Sequence, residues 1–561
     1  MTVDGEFQRS EETITRGIVM ALIAMGLAVF VIANDFTAMA VALTQIEHDF
    51  NADVATVQWV INAYALVFGV LIVTGGKLAD MFGRRRIFFI GTAIFAIFSV
   101  LGGAATNVVW LIAARAIMGI GGALMWPAIL GMTFAALPAR KAGLAGGMIL
   151  GVAGIGNAFG PLIGGFLTDA FGWRWILFLN LPIAIIAVVV TWAKVHQPLE
   201  REEGARLDYA GVSVLSLALV ALLIALDQAN VWGFADIRTL VLFAICVVLL
   251  AAFPFVERRA GANALLPASL IHNREFMAAC ISVLLLSSMF FACLLYLPEF
   301  MQKILGYSAL EAGLGLLPLM AVFAVVSFAA GALYERLGAK LITALGAAGM
   351  TAGVLLFSLL GSDAGYGSIV AGMILMGAGL GLFISSATTA GVTALEPSQA
   401  SLAGGVLYLF QIAGGSVGLG LVTAVFIASA QANVHVADVA NQLSNMQEHA
   451  VMDVLSGTGT AQQLMHQFPA MAGQLDHMAR AAFAAGMHTG FSIVALLGAL
   501  GFLVALTFVG GRLHLWRRES VEKMSRPYPL ARFHHRAYHW GKLPTKPELA
   551  EVNDEPGRIV P

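Results

Sequence analysis

The chain has 561 residues, 59% hydrophobic and 11% charged, with a formal net charge of −2. Its mean hydropathy is +0.85. A soluble domain carries about 25% charged residues, so the composition excludes one and specifies a polytopic membrane protein.

The first sixteen residues are polar and of mixed charge. They lack the basic flank and cleavage site of a signal peptide, so the first helix is expected to remain in the chain. Apolar runs then predict fourteen membrane helices: α1 17–43, α2 56–79, α3 87–106, α4 108–136, α5 142–169, α6 175–195, α7 208–227, α8 236–256, α9 276–300, α10 309–333, α11 340–361, α12 366–393, α13 401–429 and α14 485–511. An even count puts both termini on one side. On that side fall 26 of the 31 Lys and Arg residues. Four lie opposite (Arg174, Arg238, Lys303, Arg480), and Arg115 is inside α4. Positive charge collects at the cytoplasm, so both termini are expected there, in a plasma (inner) membrane.

Internal echoes divide the chain. GKLADMFGRR (76–85) returns as GALYERLGAK (331–340), with Asp80 answering to Glu335 and Gly83 to Gly338. MGIGGAL (118–124) returns as MGAGLGL (376–382), and LAGG at 144–147 returns at 402–405, both 258 residues on. The fold class is therefore an all-α membrane protein. Two parallel six-helix repeats, 17–195 and 276–511, flank two inserted helices within 196–275, and secondary transporters build a central cavity between such repeats. The ends 1–16 and 512–561 are expected to be cytoplasmic. The tail is basic and aromatic, suited to an anionic lipid surface. Within the second repeat, 430–484 is expected to be an extracytoplasmic loop with short amphipathic helices. Its His435, His449, His466 and His477 are spaced too widely for a metal cluster. Cys246, Cys280 and Cys293 fall in apolar runs and read as small core residues.

Four features carry chemistry. Asp35 interrupts the apolar run of α1, where a carboxylate costs roughly 2.5–3.5 kcal/mol, and so needs a partner. Arg115 is the only basic residue within a membrane helix. Both lie eight residues from the outer helix ends, about 12 Å deep. A cation favours the charged carboxylate and desolvation favours the neutral acid, so a movement that changes either makes Asp35 a proton carrier; the alternative is a static ion pair. The repeat-equivalent of Arg115 is Met373.

Third, Gly76–Arg86 (GKLADMFGRRR) links α2 to α3. Gly76 and Gly83 permit a tight turn and the Arg run, beginning at Arg84, anchors to the inner leaflet. Asp80 can pair with a base or sit at a helix N-terminus, and so act as a cytoplasmic gate. Fourth, α5 carries Gly147, Gly151, Gly156, Gly160 and Gly164 at four- and five-residue spacing, with Pro161 among them. This suits close helix contact and a bend. Asn34, Asn62, Tyr64, Asn157, Asn180, Tyr408 and Gln411 are candidate cavity lining, or are satisfied by neighbouring helices. Glu299 reads as an interfacial carboxylate or as a second acidic site for cations, and Asp227 as a solvated helix end.

These stretches resemble the major facilitator superfamily, in its fourteen-helix drug:proton antiporter branch. GKLADMFGRRR, LIAARAIMGIGG, GNAFGPLIGG and NDFTAMAVAL carry the likeness, with WVINAYAL (59–66), GWRWILFLNLP (172–182) and the α7 stretch 208–234, across about residues 17–510. The resemblance implies proton coupling at Asp35 and Arg115, gating at Asp80, and an antiporter-type helix at Gly156, Gly160, Pro161 and Gly164. The chain departs from the branch in α1, with Ala40 in place of its usual Asn, Thr44 in place of Pro, and an added Asn34 beside the carboxylate.

The expected function is proton-driven export of amphipathic or cationic toxic compounds. The alternative is export of one metabolite or lipid, with a periplasmic adaptor docked on 430–484. The partners are thus a small-molecule substrate, protons and the bilayer, with no nucleic acid. A membrane sensor lacks a soluble signalling domain here, and an enzyme lacks a nucleophile–base or metal spacing. No cofactor and no metal is expected, and no GxxxxGK[ST] occurs to bind ATP.

Overall fold

The computed structural model describes residues 16–52, 54–138, 141–195, 207–233, 236–441 and 472–510. The fourteen helices in it that are long and apolar enough to cross a membrane are α1 Arg16–Phe50, α2 Val54–Phe82, α3 Arg84–Gly103, α4 Val108–Ala136, α5 Ala142–Phe171, α6 Arg174–Lys194, α7 Tyr209–Trp232, α8 Ile237–Ala260, α9 Arg274–Lys303, α10 Leu317–Leu337, α11 Ala339–Ser358, α12 Tyr366–Thr393, α13 Ala400–Asn441 and α14 Ala472–Phe508. A short helix, Ala309–Gly315, precedes α10. Hydrocarbon leaves no water to satisfy backbone groups, so apolar runs of this length close their hydrogen bonds within helices.

Two sequence expectations need correcting. Helix α1 runs seven residues past the expected 43, because its polar last turns find partners. Gln45 accepts a hydrogen bond from the Trp173 backbone N–H (3.1 Å), and Asp49 accepts from Trp173 Nε1 (2.9 Å) and Arg174 Nη1 (3.0 Å). The segments 430–441 and 472–484 belong to no separate loop, because α13 continues to Asn441 and α14 begins at Ala472. Ser429, where the continuation of α13 begins, donates to the Ala485 carbonyl of α14. The rest of the expected loop, 442–471, lies outside the described residues, as do both ends of the chain.

The two repeats share one packing scheme. In the first, α1 packs on α5 and α6, α4 on α2 and α3, and α3 on α6. In the second, α9 packs on α13 and α14, α12 on α10 and α11, and α11 on α14. The contacts between repeats are equally reciprocal: α5 meets α10 and α12, while α13 meets α2 and α4. The inserted α7 and α8 pack on each other, and α7 lies against α2 and α13.

Glycines set the closest approaches. A Cβ at Gly147 would lie 2.5 Å from the Ser327 carbonyl of α10, and one at Gly76 would lie 2.9 Å from Leu402 Cα of α13. These contacts fall near the end of the bundle that carries Arg84, Arg85, Arg86, Arg336 and Lys340, here called the basic face. The repeats are sealed together there.

Candidate functional site

Asp35 and Arg115 meet. Both side chains are fully buried, and Arg115 Nη1 forms an ion pair with Asp35 Oδ2. The pair is enclosed rather than open. Arg115 Nε donates to the Val60 carbonyl (2.9 Å), and the guanidinium lies 4.4 Å from the centroid of the Tyr64 ring. Phe36 packs against Tyr64 edge-on at 4.8 Å. The other carboxylate oxygen is also occupied, because Asn180 Nδ2 of α6 donates to Asp35 Oδ1 at 2.9 Å. The same nitrogen donates to Ser99 Oγ of α3 at 3.0 Å, and Ser99 donates onward to the Leu177 carbonyl at 2.7 Å. Four helices of the first repeat besides α1 thus converge on one carboxylate. Leaving one member of a buried pair alone costs about 3–5 kcal/mol, so its unpaired state is expensive.

At the junction of α2 and α3, Asp80 makes both kinds of contact open to it. Asp80 accepts from Arg84 Nε (3.0 Å) within its own repeat. It also accepts the backbone N–H groups of Leu402 (2.8 Å) and Ser401 (3.3 Å), in the first turn of α13. A carboxylate at a helix N-terminus is stabilised by the helix dipole and the free N–H groups. Arg84 spans the seal as well, donating to the Gly131 carbonyl of α4 (3.0 Å) and to the Pro397 carbonyl before α13. Gly83, at φ +97°, makes the turn into α3, and Gly338 at φ +84° makes its counterpart. That counterpart repeats the logic: Glu335 faces the Leu144 N–H at the start of α5, beside the Lys141 charge.

Helix α5 presents two glycine faces. Gly147 and Gly151 receive α10, the latter against Phe328, while Gly156, Gly160 and Gly164 receive α1. A Cβ at Gly160 would run into Thr37, two residues from Asp35, and one at Gly164 would lie 2.5 Å from the Ala38 carbonyl. The helix continues unbroken through Pro161.

A cavity of about 260 Å³ lies between the repeats, away from the basic face. Trp59 and Asn62 of α2, Phe291 of α9, and Ile412 and Ser416 of α13 line it, and α7 closes one wall with Leu223 and Ile224. Nearer the basic face is a much smaller void beside Trp126, Tyr408 and Gln411.

Of the polar residues expected to line a cavity, Asn62 borders the larger space, and Tyr408 and Gln411 the smaller. The other four, and Glu299, border neither. Asn180 is turned to Asp35 instead, Tyr64 is buried under Arg115, and Asn34 is buried with no partner for its Oδ1. Asn157 is half-buried on α5. Glu299 pairs with Lys303 one turn on, at 3.2 Å, as an interfacial carboxylate would. The side chain of Asp227 lies outside the described residues. The sequence reading missed Ser99 and the α7 wall. Ser99 is one of two hydroxyls, with Thr92, in an otherwise apolar stretch of α3, and α7 lies outside the twofold repeat.

The family described as Major Facilitator Superfamily matches residues 25–419. The Tetracenomycin C resistance and export protein of Streptomyces glaucescens is 30% identical over 488 residues, covering 86% of this chain and 90% of that protein. The Cephamycin export protein CmcT of Amycolatopsis lactamdurans is 33% identical, over 74% of this chain and 85% of that one. The Puromycin resistance protein pur8 of Streptomyces alboniger is 34% identical, over 73% and 81%. Among solved structures, the human organic anion transporter MFSD10 (TETRAN) aligns with a TM-score of 0.55 at 12% identity, over 87% of this chain and 99% of that one. This last likeness concerns the fold alone.

Proposed function

The chain belongs to the major facilitator superfamily, a family of multi-pass membrane transporters, and from that premise we propose that it exports amphipathic compounds across the plasma membrane in exchange for protons. One observation carries the reading: Asp35 is the acidic group of a fully buried ion pair in the interior of the first repeat. Intramembrane carboxylates are costly and mark ion or proton paths.

In this reading a proton and Arg115 compete for one carboxylate. A proton on Asp35 weakens its hold on Arg115, and the freed α1–α4–α6 contacts let the repeats rock. Asp80 holds the basic face shut through the first turn of α13 and releases it when the halves part, with the termini on the cytoplasmic side. The cavity beyond the seal is lined mainly by apolar and aromatic groups with a few polar ones, which suits amphipathic substrates. The names of the relatives, which specify antibiotics, support export of such compounds. Each of the three names given above specifies one natural product, which supports a single-compound exporter as the second reading.

Proteoliposomes with an acidic interior test this. Purified protein should drive accumulation of ethidium, puromycin, tetracenomycin C or cephamycin on imposition of the gradient, and collapse of the gradient should stop it. Accumulation of several of these supports broad export, and of one alone the narrow reading. Uptake at equal rates with and without the gradient would rule out proton coupling.

A further inference from the structure

The Asn180–Ser99 pair borders neither of the two cavities described above, yet it completes the environment of Asp35. Asn180 is 1% exposed and Ser99 fully buried. The direction of their hydrogen bonds is fixed by elimination. The Leu177 carbonyl can only accept, so the Ser99 hydroxyl donates to it at 2.7 Å. Ser99 Oγ is then an acceptor toward Asn180, at 3.0 Å, which requires the amide nitrogen there. That nitrogen has a second hydrogen, and it points to Asp35 Oδ1 at 2.9 Å.

Asp35 therefore has Arg115 on one oxygen and an oriented amide donor on the other. A protonated carboxyl group would need an acceptor at one oxygen. Asn180 could offer its carbonyl only by flipping, and the flip would set the amide oxygen against an Ser99 oxygen whose hydrogen is committed to Leu177. The charged and titratable groups that face this site are Arg115 from α4 and Tyr64 from α2, with Tyr408 of α13 beside Tyr64. The only ionisable residue of α5 is Asp169 near its outer end, and those of α6 are Arg174 and Lys194 at its two ends. α3 offers Ser99 here.

We propose that Asn180 is a positioning residue for proton exchange at Asp35: its amide, oriented by Ser99, favours the charged carboxylate and ties the protonation state to the placement of α6 and α3 against α1. The inference rests on Asp35 being the coupling site, so its test is made separable from that reading. A hydrogen bond to a charged group is worth enough to displace a protonation midpoint by about one pH unit. Removing a donor to the charged form makes protonation easier, so the midpoint must rise.

The experiment is a pH titration of full-length protein in lipid, followed by infrared difference spectroscopy. The carbonyl stretch of a protonated carboxyl group is assigned to Asp35 by its loss in Asp35→Asn, and no substrate is required. Asn180→Leu should move the midpoint of that band up by about one pH unit, and Ser99→Ala by a smaller amount in the same direction. Ser99→Ala removes one atom and keeps the fold, so it decides the matter should Asn180→Leu not fold. Midpoints unchanged in the variants, or no band appearing at higher pH than in the wild type, would overturn the proposal. Gradient-driven uptake by Asp35→Asn proteoliposomes is measured in parallel. Its persistence would refute the coupling role of Asp35 whatever Asn180 does, whereas its loss with unmoved midpoints would refute only the role of Asn180.

Discussion

Where the first repeat buries Arg115 and Tyr64, the second buries Met373 and Leu319. The correspondence is geometric as well as textual. A Cβ at Gly119 of α4 would strike the Tyr64 carbonyl, and one at Gly377 of α12 would strike the Leu319 carbonyl. The two repeats thus use one backbone arrangement with different contents, charged in one and apolar in the other. A helix–helix scaffold needs no buried ions, as the second repeat shows by burying no charged side chain among its described residues. The proposed coupling role supplies a reason for the cost of desolvating Asp35 and Arg115 that packing alone does not.

The largest expected effect comes from making the first repeat resemble the second. Arg115→Met leaves Asp35 buried without its cation and should cost about 3–5 kcal/mol, read as a fall in thermal stability in detergent. Met373→Leu should cost less than about 1.5 kcal/mol. Adding Asp35→Asn to Arg115→Met should recover much of the loss. Equal stability for the two single variants would erase the distinction between the repeats.

A second comparison concerns the glycine seams. Gly156 and Gly160 have counterparts in Gly414 and Gly418, but Gly164 corresponds to Val422. Gly164→Val should overpack α5 against the Ala38 carbonyl, at a cost of about 1–3 kcal/mol. Thermal unfolding checks it, and a variant as stable as the wild type would show that α1 can yield at this contact.

The smallest effects are expected at the seal. Asp80 has Arg84 and two N–H groups of α13, whereas Glu335 faces a single N–H of α5. Asp80→Asn should weaken the closed state by about 1–2 kcal/mol and Glu335→Gln by about 0.5 kcal/mol. Labelling of a cysteine at Ser327, buried in the α5–α10 contact, by a water-soluble thiol reagent reports the opening. Faster labelling in the Glu335 variant than in the Asp80 variant would reverse the assignment of the principal latch.

Much of this organisation could be read from the chain because it is written in features with a period or a sign. Apolar run length gave the fourteen helices, and the echo of GKLADMFGRR in GALYERLGAK located the twofold. An isolated Asp and an isolated Arg at one depth in an apolar background announced each other. Other features depend on which neighbour a side chain reaches. Asn180 stood out as a buried amide, but whether it turned to a cavity or to Asp35 depends on how α6 is rotated, and periodicity does not fix rotation. Ser99 gave no signal, since a hydroxyl in a helix ordinarily bonds to its own backbone, as Thr92 of the same helix does to the Phe88 carbonyl. The lengths of α1 and α13 were underestimated because their last turns are polar. At the end of α1, contacts such as Asp49 with Trp173 decide the helix end, rather than hydropathy.

The central claim is that Asp35 couples movement of the repeats to protons without being needed for the movement itself. The most direct measurement compares two modes of transport in one preparation of Asp35→Asn proteoliposomes: exchange of labelled for unlabelled substrate without a gradient, and accumulation driven by an acidic interior. Retained exchange with accumulation abolished is the predicted result. Accumulation at the wild-type rate would contradict it.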